Sequence, residues 1–87
     1  MITMTITQLD FEILRVIQAN RSITVTKISK EVGSKQSAIS RKLQSLADAE
    51  FIDYKIDKET KRSMRWYYMT KDGDELMRLL SRLNWDK

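Results

Sequence analysis

Between Val25 and Ala49 the apolar residues describe two helices with only Gly33 and Ser34 between them. Ile28 and Val32, with Ile23 ahead of them, mark the inward side of a short helix over residues 25–32. Thr24 or Thr26 can cap its start. Gly33 follows at once, as a helix stop should. Ser34 then caps a longer helix over residues 35–49, on which Ile39, Leu43 and Leu46 recur at i, i+4 and i+7. So short a join makes a helix-turn-helix, and the rest of the chain has to be built around it.

Upstream, Thr7 and Asp10 resemble a capping box, with Asp where Glu or Gln is usual, and Ile6 with Phe11 forms the matching hydrophobic staple. A helix over 8–20 follows, its inward face made of Leu9, Ile13, Val16 and Ile17 and widened by Phe11 and Leu14. Asn20, which tolerates the left-handed conformation, ends it. Met1 to Ile6 alternates Ile2, Met4 and Ile6 with polar residues, as either a short strand or an arm would. Downstream the period changes from helical to alternating. Ile52, Tyr54 and Ile56 read as a half-buried strand, DKETKRS as a polar connection, and the aromatic run MRWYYMT as the returning strand, giving a hairpin over 51–70. Thr70 then caps a last helix over 71–84, whose first turns hold Asp72, Asp74 and Glu75 against the helix dipole. The order is helix, helix, helix, hairpin, helix: an α+β chain whose 87 residues have room for a single domain, 1–87.

Composition narrows the chemistry. The chain has neither Cys nor His, which removes disulfides, thiolate metal sites, cysteine nucleophiles and the commonest general base together. The remaining carboxylates, lysines and hydroxyls show no spacing that singles out an active site, so an enzyme is not expected, nor any metal or cofactor. No apolar run approaches the roughly 20 residues of a membrane span, and the start lacks a signal peptide's pattern; a cytoplasmic, membrane-free protein is expected. The net charge of +4 suits a polyanionic partner.

The stretch ITVTKISKEVGSKQSAISRKLQSLADAEFI, Ile23 to Ile52, resembles the helix-turn-helix of winged-helix bacterial and archaeal regulators. RWYYMTKDGDEL, with its Thr-x-x-Gly entry at Thr70 and Gly73, resembles the end of the wing and the next helix in the MarR and PadR families. With the hairpin between them the two segments run from Ile23 to Leu76. The resemblance implies a winged helix-turn-helix fold: three helices, a two-stranded wing and a C-terminal helix. It also implies a transcriptional regulator acting on double-stranded DNA, with repression by promoter occupancy inferred from how such small proteins work. The sequence departs from the pattern in places. Glu50 stands where many relatives have Gly just before the wing, and the wing carries Lys61-Arg62 without the Asp-x-Arg frequent in MarR wings. The helices that MarR proteins use to dimerise are reduced here to the first helix, the arm and the last helix. Relatives that sense metals do so through Cys and His, which this chain lacks.

The helix over 35–49 then reads as the recognition helix. Opposite its apolar stripe stand Ser37, Ser40, Arg41 and Gln44, extended by Lys35 and Gln36, with no acid before Asp48. Arg41 can bond a guanine in bidentate fashion, and Gln36 and Gln44 have amide chemistry for adenine. Ser37 and Ser40 allow close approach, and Lys35 sits where a phosphate contact is expected. A merely solvated helix face would more commonly mix Glu with Lys. From Arg21 to Lys42, Arg21, Lys27, Lys30, Lys35, Arg41 and Lys42 face the single acid Glu31. In the wing Lys61 and Arg62 are the candidates for backbone or minor-groove contact, against a simply solvated hairpin. Trp66, Tyr67 and Tyr68 could stack single-stranded bases, although core or interface packing is the commoner use. Leu76, Leu79, Leu80, Leu83 and Trp85 suggest a homodimer seam on the last helix, against the alternative that it folds back on its own domain. The rival function is a winged-helix module that docks on another protein within a larger assembly; the recognition helix opposes it by showing Ser, Gln and Arg where docking anchors would be aromatic or aliphatic.

Overall fold

Thr7 stands in extended backbone, its hydroxyl accepting the Asp10 N–H at 3.2 Å while the Asp10 carboxylate accepts the Thr7 N–H at 2.9 Å. This reciprocal box satisfies donors that a helix start leaves open. It begins α1 (Gln8–Gln18), followed by α2 (Val25–Val32), α3 (Gln36–Asp48), β1 (Ile52–Asp57), β2 (Met64–Met69) and α4 (Lys71–Arg82). The structure, a computed structural model, describes residues 6–59 and 64–83. The element order is the one expected, and Ile6 and Phe11 both pack on the core as a staple would. The question of strand or arm for Met1 to Ile6 lies, apart from Ile6, outside the described residues.

Helix ends differ from expectation where side chains satisfy the backbone in other ways. α1 stops at Gln18, with Ala19 as a right-handed cap. Asn20 does not turn left-handed; its amide donates to the Val16 carbonyl at 2.7 Å and satisfies that helix-end acceptor directly. Of the two threonines, Thr24 caps α2. Ser34 is not the cap of α3: Lys35 holds that position without a side-chain hydrogen bond, and the helix begins at Gln36. Ser34 is instead used in the turn, where its carbonyl accepts the Ser29 hydroxyl. Its N–H and that of Gly33 both reach the Ser29 carbonyl, at 3.2 and 2.8 Å. Gly33 makes this possible at φ 76°, a conformation that costs a glycine little. α3 ends at Asp48 and α4 at Arg82.

α1 is the central element, packed against α2, α3, α4 and β2. Ile13, Leu14 and Ile17 of α1, Ile28 of α2, and Ile39, Leu43 and Leu46 of α3 have no exposed surface, and Ile52, Tyr67, Met77 and Leu80 close the same core. Each such side chain contributes about 1.5–3 kcal/mol by leaving water. β1 and β2 run antiparallel from Ile52 opposite Met69 to Asp57 opposite Met64. Ile23 joins the free edge of β2: its N–H donates to the Tyr67 carbonyl at 3.0 Å and its carbonyl accepts the Tyr67 N–H at 2.8 Å. Along the inner face of β1, Ile52 is buried, Tyr54 half-buried and Ile56 47% exposed. The hairpin therefore leaves the core as it extends.

The base of this hairpin is closely fitted. α3 ends in a Schellman pair, with Glu50 N–H to the Ala47 carbonyl and Phe51 N–H to the Leu46 carbonyl, both at 3.0 Å. Glu50 occupies the left-handed position at φ 66°. The turn is thus the one a glycine would make there, formed by a glutamate. Thr70 spans the same place: its hydroxyl donates to the Glu50 carbonyl at 2.7 Å and accepts the Gly73 N–H at 3.1 Å, capping α4.

Candidate nucleic-acid interface

Burial of Ile39, Leu43 and Leu46 decides how α3 is rotated, and Lys35, Gln36, Ser37, Ser40, Arg41 and Gln44 are all left exposed on its outer side. Three supports hold that surface in place. The tight turn at Gly33 and Ser34 fixes α3 against α2, β1 packs beside it, and Lys42 ties it to α1. The Lys42 ammonium lies 3.4 Å from Asp10 Oδ2 and 3.3 Å from the Thr7 hydroxyl. Lys42 thus faces the start of α1, and its role is to position the helix. Asp10 is almost wholly buried, and its Oδ1 has no hydrogen-bond partner among the described residues.

Gln36 donates from Nε2 to the Thr26 hydroxyl at 3.4 Å, linking the first turns of α3 and α2. Gln44 donates to Asp48 Oδ1 at 3.0 Å. Each amide keeps its carbonyl oxygen and a second N–H for an outside partner. Neither α2 nor α3 has an acid in its first turn, so the positive ends of both helices remain uncompensated. The surface offers an Arg fork, two amides, two small hydroxyls and a lysine at the edge, which together suit a base edge flanked by phosphates.

In the wing, Lys61 and Arg62 lie outside the described residues. The strands show a different cation. The register sets Ile56 opposite Arg65 and Tyr54 opposite Tyr67, and the Arg65 guanidinium lies 4.5 Å from the centre of the Tyr54 ring. The Tyr67 side chain first, and Tyr54 with it, favour the charged form and push Arg65 further above its ordinary value. The Tyr54 and Tyr67 rings are themselves 5.5 Å apart and tilted at 55°. This arrangement was not predicted from the sequence, because it depends on a register that the polar connector does not specify. Of the three aromatic residues in the returning strand, only Tyr67 is buried. Trp66 and Tyr68 sit on the opposite face beside Lys55, lining a cleft of ≈ 870 Å³ with the α1–α2 turn and the start of α4.

The expected seam on α4 divides by burial. Leu80 is 7% exposed and belongs to the core, and Leu76 packs against it. These two residues are occupied by their own domain. Leu79 and Leu83, 54% and 73% exposed, remain on the outside; Trp85 lies outside the described residues.

Residues 9–82 match the sequence profile of the winged helix DNA-binding domain. The chain belongs to that family. Solved structures share the winged-helix fold. FabT of Streptococcus pneumoniae, in complex with DNA, superposes with a TM-score of 0.76 at 21% identity, over 86% of this chain and 52% of that one. The transcriptional regulator SlyA gives 0.80 at 21% identity, over 92% and 56%. A mutant MarR from E. coli, complexed with operator DNA, gives 0.81 at 22% identity, over 90% and 55%. At such identities the likeness is one of fold, and the winged-helix domain described here spans about half the length of these chains. No curated protein matches the chain in sequence. In helix-turn-helix proteins the second helix of the motif enters the major groove, and here that helix is α3.

Proposed function

We propose that this winged-helix domain is a sequence-specific regulator of transcription that binds double-stranded DNA and represses by occupying a promoter. The observation that carries this reading is the outer surface of α3. Arg41 with Gln36 and Gln44 meets base edges in the major groove, Ser37 and Ser40 let the backbone come close, and Lys35 takes a phosphate. Lys61 and Arg62 add backbone or minor-groove contact from the wing. Family membership and two DNA-bound neighbours of the same fold support the reading. A homodimer formed through the exposed Leu79 and Leu83 of α4 would present two such helices to half-sites about one helical turn apart. No helix among the described residues is long and apolar enough to cross a membrane, in keeping with action on cytoplasmic DNA.

The test is fluorescence anisotropy of a labelled mixed-sequence duplex at low and moderate salt, followed by selection of preferred sequences from a random pool. Binding that weakens steeply with salt, together with an enriched motif, is the expected result. Failure to bind any duplex at low salt would transfer the domain to the protein-docking class.

A further inference from the structure

Arg65 occupies the point where the inner face of the wing runs out of core. Its neighbour across the hairpin, Ile56, is already about half exposed, and Arg65 itself is open to solvent. Even so, the side chain has a support. Its guanidinium lies 4.5 Å from the centre of the Tyr54 ring, and that ring packs against Tyr67 at 5.5 Å. Tyr67 is buried and is pinned on its far edge to Ile23, so the support for this cation reaches into the body of the domain. A cation–π contact of this kind restricts an Arg side chain and reduces the freedom that a surface Arg would lose on binding.

Among the described residues the strands place no acid on the face of the sheet that Arg65 shares. The positions sharing that face are Ile52, Tyr54 and Ile56 on β1 and Tyr67 and Met69 on β2. The guanidinium carries five donors in a planar fork, which matches the paired oxygens of a phosphate. β1, the partner strand of β2, packs against α3, so the hairpin that carries Arg65 stands beside that helix.

We infer that Arg65 is a pre-oriented phosphate-binding residue, a second anchor on the duplex beside α3, with Tyr54 and Tyr67 as its positioning residues. The inference rests on the DNA-binding reading above and adds to it a contact that does not depend on the wing tip.

The experiment titrates labelled duplex with the wild-type chain and with Arg65→Ala, Arg65→Lys and Tyr54→Leu, at several salt concentrations between about 50 and 200 mM, each variant checked for folding by a thermal melt. Arg65→Ala should weaken binding on the order of tenfold near 0.1 M salt and reduce the salt slope by about one. Arg65→Lys, which keeps the charge and loses the fork, should keep the slope and weaken binding roughly threefold. Tyr54→Leu should do the same by releasing the guanidinium. Wild-type binding with an Arg65→Ala variant unchanged in affinity and slope would overturn the inference and leave the DNA reading intact. So would an Arg65→Ala loss with the slope unchanged and the melt lowered, which marks a structural role. Absence of duplex binding by the wild type overturns the DNA reading itself.

Discussion

Glu50 sits in left-handed backbone, at φ 66°, where a side chain costs roughly 1–2 kcal/mol and glycine costs almost nothing. Glu50→Gly should therefore stabilise the fold by about 0.5–1 kcal/mol after the extra freedom of the unfolded glycine is allowed for, raising the melting temperature by roughly 2–8 °C. A thermal melt showing no rise would mean that the glutamate side chain compensates through contacts of its own. Nothing in the residue type announces this conformation: left-handed preference belongs to Gly and Asn, which is why Asn20 was expected to adopt it and Glu50 was not. The residues on the outer side of α3 were easier to read, because an apolar stripe at helical spacing defines its opposite. Arg41→Ala tests that part. It should cost about 1–3 kcal/mol on the preferred duplex and relax selection at one base position; an unaltered enriched motif would remove Arg41 from base reading.

At the level of elements, the start of α4 shows how closely two neighbouring segments can be fitted. A Cβ on Gly73 would lie 2.0 Å from the Phe51 carbonyl oxygen and 2.9 Å from the Met69 methyl. The carbonyl is not free to move, since it also accepts the Thr70 N–H at 3.2 Å. Gly73→Ala should accordingly destabilise the domain by about 3 kcal/mol, read as a lower midpoint in chemical denaturation; a midpoint within error of the wild type would show that the wing base can yield. Thr70 as a cap was legible from Thr-x-x-Gly, the first strand from its alternation and the second from its aromatic run. Their pairing was not. DKETKRS has no Asn-Gly or Gly-x signature to fix turn type, and without the turn the partner of Arg65 could not be assigned. The end of α3 and the cap before it show the same limit in small: Ser34 has the right chemistry for a cap but bonds within the turn.

For the whole molecule, the order of elements was enough to establish the architecture, because a helix-turn-helix followed by a hairpin and one more helix has few ways to bury its apolar faces together. How α4 would be shared between core and surface was less accessible. Its leucines fall on adjoining stripes, and only packing shows that Leu76 and Leu80 turn inward while Leu79 and Leu83 turn out. The proposed dimer therefore rests on the latter pair. The double change Leu79→Glu and Leu83→Glu should leave the helical circular dichroism intact, give a monomer in sedimentation, and lower the affinity for a two-half-site duplex on the order of a hundredfold. Dimers persisting at micromolar concentration would move the seam elsewhere.

The two hydrogen bonds between Ile23 and Tyr67 have a consequence at this scale as well. They stitch the residue just ahead of the helix-turn-helix to the strand that carries Arg65, and so tie the body of the domain to its hairpin. On the DNA-binding reading, the separation between the groove-filling helix and the strand beside it is set before a duplex arrives. A duplex whose groove and backbone do not meet that spacing must itself be bent or narrowed to fit. Sequences that deform easily then gain over those that do not, at base pairs that no side chain touches.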